Sequence, residues 1–543
     1  MKRTVRTASI LVVVLLLFAA FRTQDDLFEL RKNFEIFGAL YEEVAINYVD
    51  DVRPQPFLRA GIDAMLAQLD PYTQFYDEAD MVDMQIMQRR KVGTVGLNIG
   101  QRGNRLTVLA PENDADAYKQ GIRTGDILIQ IGETLTTELS PQEAYELLMG
   151  QPGTTIEVQV KRGSEPGIRT FVLPRVLPKT QNVSYSGYLG PDSTAGMAYV
   201  RLDQFGPRAA REVKRAFRNM NRDVPLKGMI LDLRSNPGGI VSEAVDIVEL
   251  FVPSGSVVVS TRNRVDSAVQ ELRTDEDPLF PDTPLIVLMD RYSASASEIV
   301  AGALQDLDRA VILGETSFGK GLVQITRPLP HNSLLKLTIS HYYLPTGRTI
   351  QSFDVNSASA RVATPTATAF TTQGGRPVRG GFGVEPDEAH REREPSEIES
   401  VLLQESAFFL FADTWVDDRC ASGLSCLDSD SDLFDSFQTW LKDSSATLTT
   451  HSDLLVSQLE EEARTQGYTL SSQLVELKNE LQQQKDRQLA SEKNRILERI
   501  KSEVRTRLQT EIDRIRLEIN MDPLIGRGIE LIENPAAINA ILR

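Results

Sequence analysis

Residues 290–298 read Asp-Arg-Tyr-Ser-Ala-Ser-Ala-Ser-Glu, between the apolar run Pro284-Leu285-Ile286-Val287-Leu288-Met289 and a helical pattern from Ile299 to Asp306. The apolar run reads as a buried strand, being short, branched and bounded by a polar turn. A serine on a strand-to-helix turn exposes its Oγ and leaves the following N–H groups pointing outward, which suits a nucleophile beside an anion site. A hydroxyl also needs a base. The four histidines, His331, His341, His390 and His451, are scattered outside any triad context, and the G-x-S-x-G elbow is absent. On composition alone, an Ala/Ser-rich turn also serves tight helix packing.

Two further stretches supply what the serine lacks. Gly314-Glu315-Thr316-Ser317-Phe318-Gly319-Lys320-Gly321 follows the apolar strand Ala310 to Leu313 and sets Lys320 between glycines. A lysine in water has a pKa of about 10.4 and is almost fully protonated at neutral pH. Burial against apolar groups lowers that value and makes a base of it, whereas a surface lysine stays a simple charge. Leu231-Asp232-Leu233-Arg234-Ser235-Asn236-Pro237-Gly238-Gly239 closes the buried run that begins at Gly228. Its glycines permit close backbone approach and N–H donors, as an oxyanion hole requires, and a plain structural turn would look the same.

Taken together, the three stretches resemble the carboxyl-terminal processing proteases, the Ser/Lys peptidases of the S41 type. The pattern D-L-R-x-N-P-G-G stands at 232–239, S-A-S-A-S-E-I-x-A-G-A-L-Q-D at 293–306, and G-E-x-x-F-G-K-G-x-x-Q at 314–324. Leu69-Asp70-Pro71-Tyr72, the run from Pro345 to Gln351, and Val384-Glu385-Pro386-Asp387 fit as well, so the resemblance runs from about residue 30 to 390. It implies Ser295 as nucleophile, Lys320 as general base and Gln324 as a residue that helps hold the lysine. The N–H groups of Ala296 and of Gly238 or Gly239 would form the oxyanion hole, and Glu298 and Asp306 would support the site geometry. Ser317 stands where a threonine is usual, and Tyr292 replaces a smaller residue.

Upstream, Gly93-Thr94-Val95-Gly96-Leu97-Asn98-Ile99-Gly100 and the string A-x-x-x-G-I-x-x-G-D-I-L at 117–128 resemble a PDZ domain. A helix from Pro141 to Met149 and a closing strand from Thr155 to Lys161 complete that reading. Gly96, Leu97, Asn98 and Ile99 would then bind peptide, offering N–H groups to a terminal carboxylate and pairing with an extended segment.

The expected fold class is multidomain α/β. Residues 1–22 form a signal peptide or membrane anchor, 23–90 a helical region, 91–165 the PDZ domain, 166–390 a crotonase-like protease core, and 391–543 a helical C-terminal domain. Lys2, Arg3 and Arg6 before the apolar run Ala8 to Phe21 give the layout of an export signal, so the periplasm or cell envelope is expected. Cleavage and retention as an inner-membrane anchor both stay open, and a buried core helix is the plainer alternative. In the helical region, Pro54 and Pro56 are expected to end the first helix, with a second from Phe57 to Leu69.

A net charge of −17 argues against nucleic acid and anionic lipid as partners. No histidine has a zinc-ligand spacing, and no cofactor or metal is expected. Cys420 and Cys426 would form a local disulfide in an exported chain, or remain two thiols. Ile496, Ile500, Val504, Leu508, Ile512, Ile515 and Ile519 make one apolar stripe, for packing on its own domain or for a homo-oligomer. The region between Gln351 and Gly381 and the long tail depart from the family's minimal pattern. The expected function is a serine endopeptidase that reads apolar free C-termini and processes or degrades envelope proteins. A PDZ scaffold that binds such peptides without cleaving is the alternative.

Overall fold

The computed structural model describes residues 28–543 apart from 79, 81–91, 113–114, 164, 179–180, 191–194, 264–268, 353–367, 392–393, 421 and 444–447. Segment 1–22 and much of the 352–380 region lie outside the described residues. No helix among those described is long and apolar enough to cross a membrane.

The chain divides into two compact units, the smaller comprising residues up to 81 with 323–339 and 354–363. In it, helix α1 (28–47) is followed by α2 (Pro54–Leu66). The second helix thus starts three residues before the expected Phe57, because Pro54 occupies the first helical position, where its missing N–H is no loss. Tyr41 stacks on Phe57 with ring centroids 5.7 Å apart, and its hydroxyl donates to Pro54 O. Asp70 closes the Leu-Asp-Pro-Tyr turn by accepting from the N–H groups of Tyr72 and Thr73 and the Thr73 hydroxyl. The next residues, Gln74–Tyr76, pair antiparallel with Leu334–Lys336.

In the larger unit, an antiparallel sheet comes first. Strands β1 (Leu97–Arg102), β2 (Arg105–Pro111) and β3 (Ile127–Ile131) precede helix α3 (Pro141–Leu148), and β4 (Thr155–Lys161) and β5 (Arg169–Pro174) follow. The sheet order is β1-β2-β3-β4-β5. Ser140 starts α3 with a reciprocal capping box to Glu143. Val108, Ile122, Leu128, Val158 and Leu173 fill the core under it. The expected closing strand is therefore not the last, because β5 pairs with β4 in register from Thr155↔Pro174 to Val160↔Arg169. This carries the module past residue 165. The extra strand is short and sits behind a Gly-rich turn, so alternation alone marks it weakly.

The second sheet is built from β6 (Val183–Tyr188), β7 (Met197–Leu202), β8 (Gly228–Asp232), β9 (Leu285–Met289), β10 (Val311–Gly314) and β11 (Glu388–Ala389), with helix α4 (Ala296–Asp306) between β9 and β10. Its order is β11-β10-β9-β8-β7-β6, parallel except for β6 against β7. Every residue of β8, β9 and β10 is buried, as expected of parallel strands covered on both faces.

The tail supplies α5 (Ala407–Arg419), α6 (Lys493–Leu508), α7 (Glu511–Met521), α8 (Pro523–Glu533) and α9 (Pro535–Leu542), among other helices. It builds two cores. Phe408, Phe411 and Trp415 pack with Phe437, Ile496, Ile500 and Val504 in one. In the other, Leu524, Ile525, Leu531 and Ile532 lie against Ile230, Ile286 and Leu288 of the parallel sheet. The apolar stripe is consequently not one helix. It breaks where Thr510 accepts from Asp513 N and caps a new helix. Its first half joins the helical core, Ile519 joins the sheet core, and Ile512 is exposed. Cys420 and Cys426 form a disulfide.

Candidate active site

Because β8, β9 and β10 are parallel neighbours, the loops that leave their carboxyl ends, 233–239, 290–295 and 315–321, emerge on one edge of the sheet. In an open α/β sheet that edge is where ligands bind. The three sequence stretches singled out above are these three loops.

Ser295 is the residue before α4, with φ 55° and ψ −110°, a strained conformation for a residue with a side chain. Its surroundings hold it there. Its N–H donates to Glu298 Oε2 at 2.7 Å, and its carbonyl accepts from Ile299 N. On either side of it, Ala294 N and the Ser297 hydroxyl both donate to Asn236 O, and the Ser293 hydroxyl donates to Leu233 O. The serine loop is thereby laced to the glycine turn on β8.

Glu298 ties in the third loop. Fully buried, it accepts four hydrogen bonds: from the Ser317 hydroxyl at 2.6 Å and Gly319 N at 2.7 Å on Oε1, and from Ser295 N at 2.7 Å and Lys320 N at 2.9 Å on Oε2. One carboxylate oxygen thus receives the backbone N–H of both Ser295 and Lys320. The two nitrogens can be no farther apart than two hydrogen bonds laid end to end. Burial pushes the Glu298 carboxyl above the usual glutamate value, against the downward pull of its four donors. Ser317, in the place of the usual threonine, keeps the hydroxyl that matters here and also accepts from Val384 N.

Gly238 lies against this junction. A Cβ built on it would stand 2.6 Å from Ala294 O and 2.9 Å from both Ala296 N and Ser295 Cβ. Its own N–H, however, donates to Asn236 Oδ1 at 2.9 Å. Among the described residues, the N–H groups of Gly239 and Ala296 meet no acceptor. Of the two glycine candidates, Gly239 is therefore the one with a donor to spare. Gly238→Ala is expected to lower kcat by about 10²-fold or more, since it both crowds Ala296 N and forces a side chain onto φ 97°. Steady-state kinetics on a peptide substrate measure this, and a wild-type kcat would contradict it.

Asp306 does not join these loops. It stands at the far end of α4, ten residues beyond Ala296, or roughly 15 Å at the helical rise per residue. There it pairs with buried Arg348 at 2.8 Å and accepts from Thr346, so it props the 344–349 turn. Gln324 belongs to the smaller unit, where its amide donates to Thr338 Oγ1 at 3.4 Å. Gly96, Leu97, Asn98 and Ile99 lie at the start of β1, an edge strand of the antiparallel sheet, beside α3.

Sequence reasoning missed Asn236 and Asp290. Buried Asn236 bonds Leu202 O through Nδ2, and its carbonyl anchors the serine loop by accepting from Ala294 N and the Ser297 hydroxyl. Asp290 accepts from the N–H and hydroxyl of Ser235 and from the N–H groups of Tyr292 and Ser293. Both stand within or directly beside the quoted stretches, and position at a strand exit is the signal that could have found them.

Comparison with known proteins adds to this geometry. Residues 196–358 match the model of peptidase family S41, and residues 398–532 match a C-terminal helical domain described as that of a probable PDZ-protease. The carboxy-terminal-processing protease of Bartonella bacilliformis is 34% identical over 329 residues, covering 60% of this chain and 74% of that one. The carboxyl-terminal-processing protease of Synechocystis is 34% identical over 290 residues, covering 52% and 66%. Among solved structures, the photosystem II D1 C-terminal processing protease aligns with a TM-score of 0.37 at 26% identity, covering 66% of this chain and 86% of that one.

Proposed function

Because the chain belongs to the carboxy-terminal-processing proteases of peptidase family S41, we propose that it is a serine endopeptidase using Ser295 as nucleophile and Lys320 as base. The observation that carries this reading is the single Glu298 oxygen that receives both backbone N–H groups. The Ser295 bond is half of the helix's capping box, and the Lys320 bond on the same oxygen brings the two backbone positions together, as a Ser/Lys dyad requires.

In the proposed cycle, Lys320 removes the Ser295 proton as Oγ attacks the scissile carbonyl carbon. The N–H groups of Ala296 and Gly239 receive the oxyanion. When the C–N bond breaks, the proton passes from Lys320 to the departing amine. Water then adds to the acyl-serine, giving its proton to Lys320, and the C–O bond to Ser295 breaks with return of that proton to Oγ. No metal or cofactor takes part.

The antiparallel module is read as a PDZ domain that selects substrates. In support, β1 is an edge strand with α3 beside it, and Gly96 at φ 68° turns the backbone just before it. A peptide can add to that edge as a further strand, with its terminal carboxylate at the Gly96–Ile99 turn. An exported enzyme anchored or released by segment 1–22 would meet envelope proteins there. Amidating the C-terminus of an apolar substrate is expected to raise KM about tenfold or more while leaving kcat within a few-fold. An unchanged KM would remove the module from substrate selection.

The reading as a whole is tested by incubating an unstructured protein with an apolar C-terminus with wild type, Ser295→Ala and Lys320→Ala, without metals. Cleavage by wild type alone supports the dyad. Binding by all three without cleavage supports the scaffold reading instead.

A further inference from the structure

One charge network of the parallel sheet runs into the tail. Asp232 ends β8 and accepts the Tyr199 hydroxyl at 2.7 Å. Arg234, two residues on in the glycine turn, reaches back to Asp232 through Nε at 3.0 Å and Nη2 at 2.6 Å. Its remaining arm, Nη1, donates to Asp522 Oδ2 at 2.6 Å. Burial opposes the guanidinium charge, yet Asp232 and Asp522 outweigh it and hold the pKa above the ordinary arginine value.

Asp522 is itself pinned. It is the N-cap of α8, with Oδ1 accepting from Leu524 N at 2.8 Å and Ile525 N at 3.2 Å. The helix it caps lies hard against the sheet: Gly528 comes so close to Ile230 that a Cβ there would be 2.9 Å from Cδ1. Leu524, Ile525, Leu531 and Ile532 complete the contact. Beside the ion pair, the strand ends and the tail helices stand apart across a cavity of about 380 Å³, lined by Arg234, Asp290, Glu315 and Asp522 among others. Close packing does not back the turn on that side.

Resting on the Ser295 reading above, we propose that Asp522 of the helical tail is a positioning residue for the oxyanion turn, so that the tail completes the active site. The connection is short. Asp522 fixes Arg234, and two residues later Asn236 carries the bonds to Ala294 N, the Ser297 hydroxyl and Gly238 N that set the donors around Ser295. Letting that turn drift weakens transition-state hydrogen bonds more than substrate binding, because the substrate's C-terminus is held elsewhere.

Asparagine keeps the N-cap and the size of Asp522 while removing the charge that holds Arg234. In the full-length enzyme, Asp522→Asn is expected to lower kcat about tenfold with KM within twofold, and Asp522→Ala to lower it further. Arg234→Met should lower kcat similarly. The double variant Arg234→Met/Asp522→Asn should be no worse than Arg234→Met alone, because the two act as one unit. Thermal unfolding is measured on each, and kcat is referred to the folded fraction. Asp522→Asn and Asp522→Ala with wild-type kcat, or losses that merely follow the folded fraction, or additive losses in the double variant, would overturn the proposal. Ser295→Ala, run alongside, separates the two questions. If it cleaves like wild type, the Ser295 reading falls and takes this inference with it. If it is inactive, the Asp522 result judges the inference alone.

Discussion

Ser295→Ala and Lys320→Ala are each expected to cut cleavage of an unstructured substrate by about 10⁴-fold or more, with substrate affinity nearly unchanged. Removing the serine removes the atom that forms the acyl-enzyme. Removing the lysine leaves a hydroxyl without a base, because no histidine belongs to the three loops. The two losses should not add, since both residues serve one proton transfer. Lys320→Arg is expected to fail as well. A guanidinium stays protonated at any working pH and cannot accept the serine proton. Quantifying product at equal enzyme concentration checks all three, and a Lys320→Arg variant with wild-type turnover would exclude the lysine as base.

The second large effect is expected at Glu298. Glu298→Ala leaves four donors without their acceptor, the buried ones of Ser317 and Gly319 and the part-buried ones of Ser295 and Lys320. A stability loss of about 3–5 kcal/mol follows, together with near-complete loss of activity. Glu298→Gln is milder in shape but turns an amide NH₂ toward two of the donors, so about 2 kcal/mol or more and most of the activity should still be lost. Denaturant unfolding and peptide turnover measure the two effects.

The pH dependence has a definite sign. Burial raises the folded pKa of Glu298 above 4.5, so the folded state binds this proton more tightly than the unfolded chain. The group's contribution to stability is full at low pH and is lost as pH rises through the folded pKa. The stability difference between wild type and Glu298→Gln should therefore shrink between pH 4.5 and pH 8. A difference that grows over that range would mean that the four donors, rather than burial, set the pKa.

Much of this was legible in the sequence because parallel central strands are written as uninterrupted apolar runs. Gly228 to Asp232, Leu285 to Met289 and Val311 to Gly314 each read as buried strands, and each is followed by one of the three loops. Chemistry and topology were thus encoded at the same places. The misses have separate causes. Asp306 stands within the same stretch as Ser295, but a helix separates residues in space that a motif sets close in sequence. Spacing alone joined Ile496 to Ile519, whereas the Thr510 cap splits them between two cores. Gly238 and Gly239 were interchangeable until the Asn236 side chain was seen to engage the first. The Arg234–Asp522 pair bridges 288 positions, and no local pattern announces it.

Ser295 is expected to form the acyl-enzyme. The most direct measurement of this is to inactivate the full-length enzyme with a fluorophosphonate, digest it, and locate the adduct by mass spectrometry. One adduct is expected, on Ser295, formed at a rate that falls steeply in Lys320→Ala. An adduct on another serine, or inactivation at an undiminished rate without Lys320, would contradict this expectation.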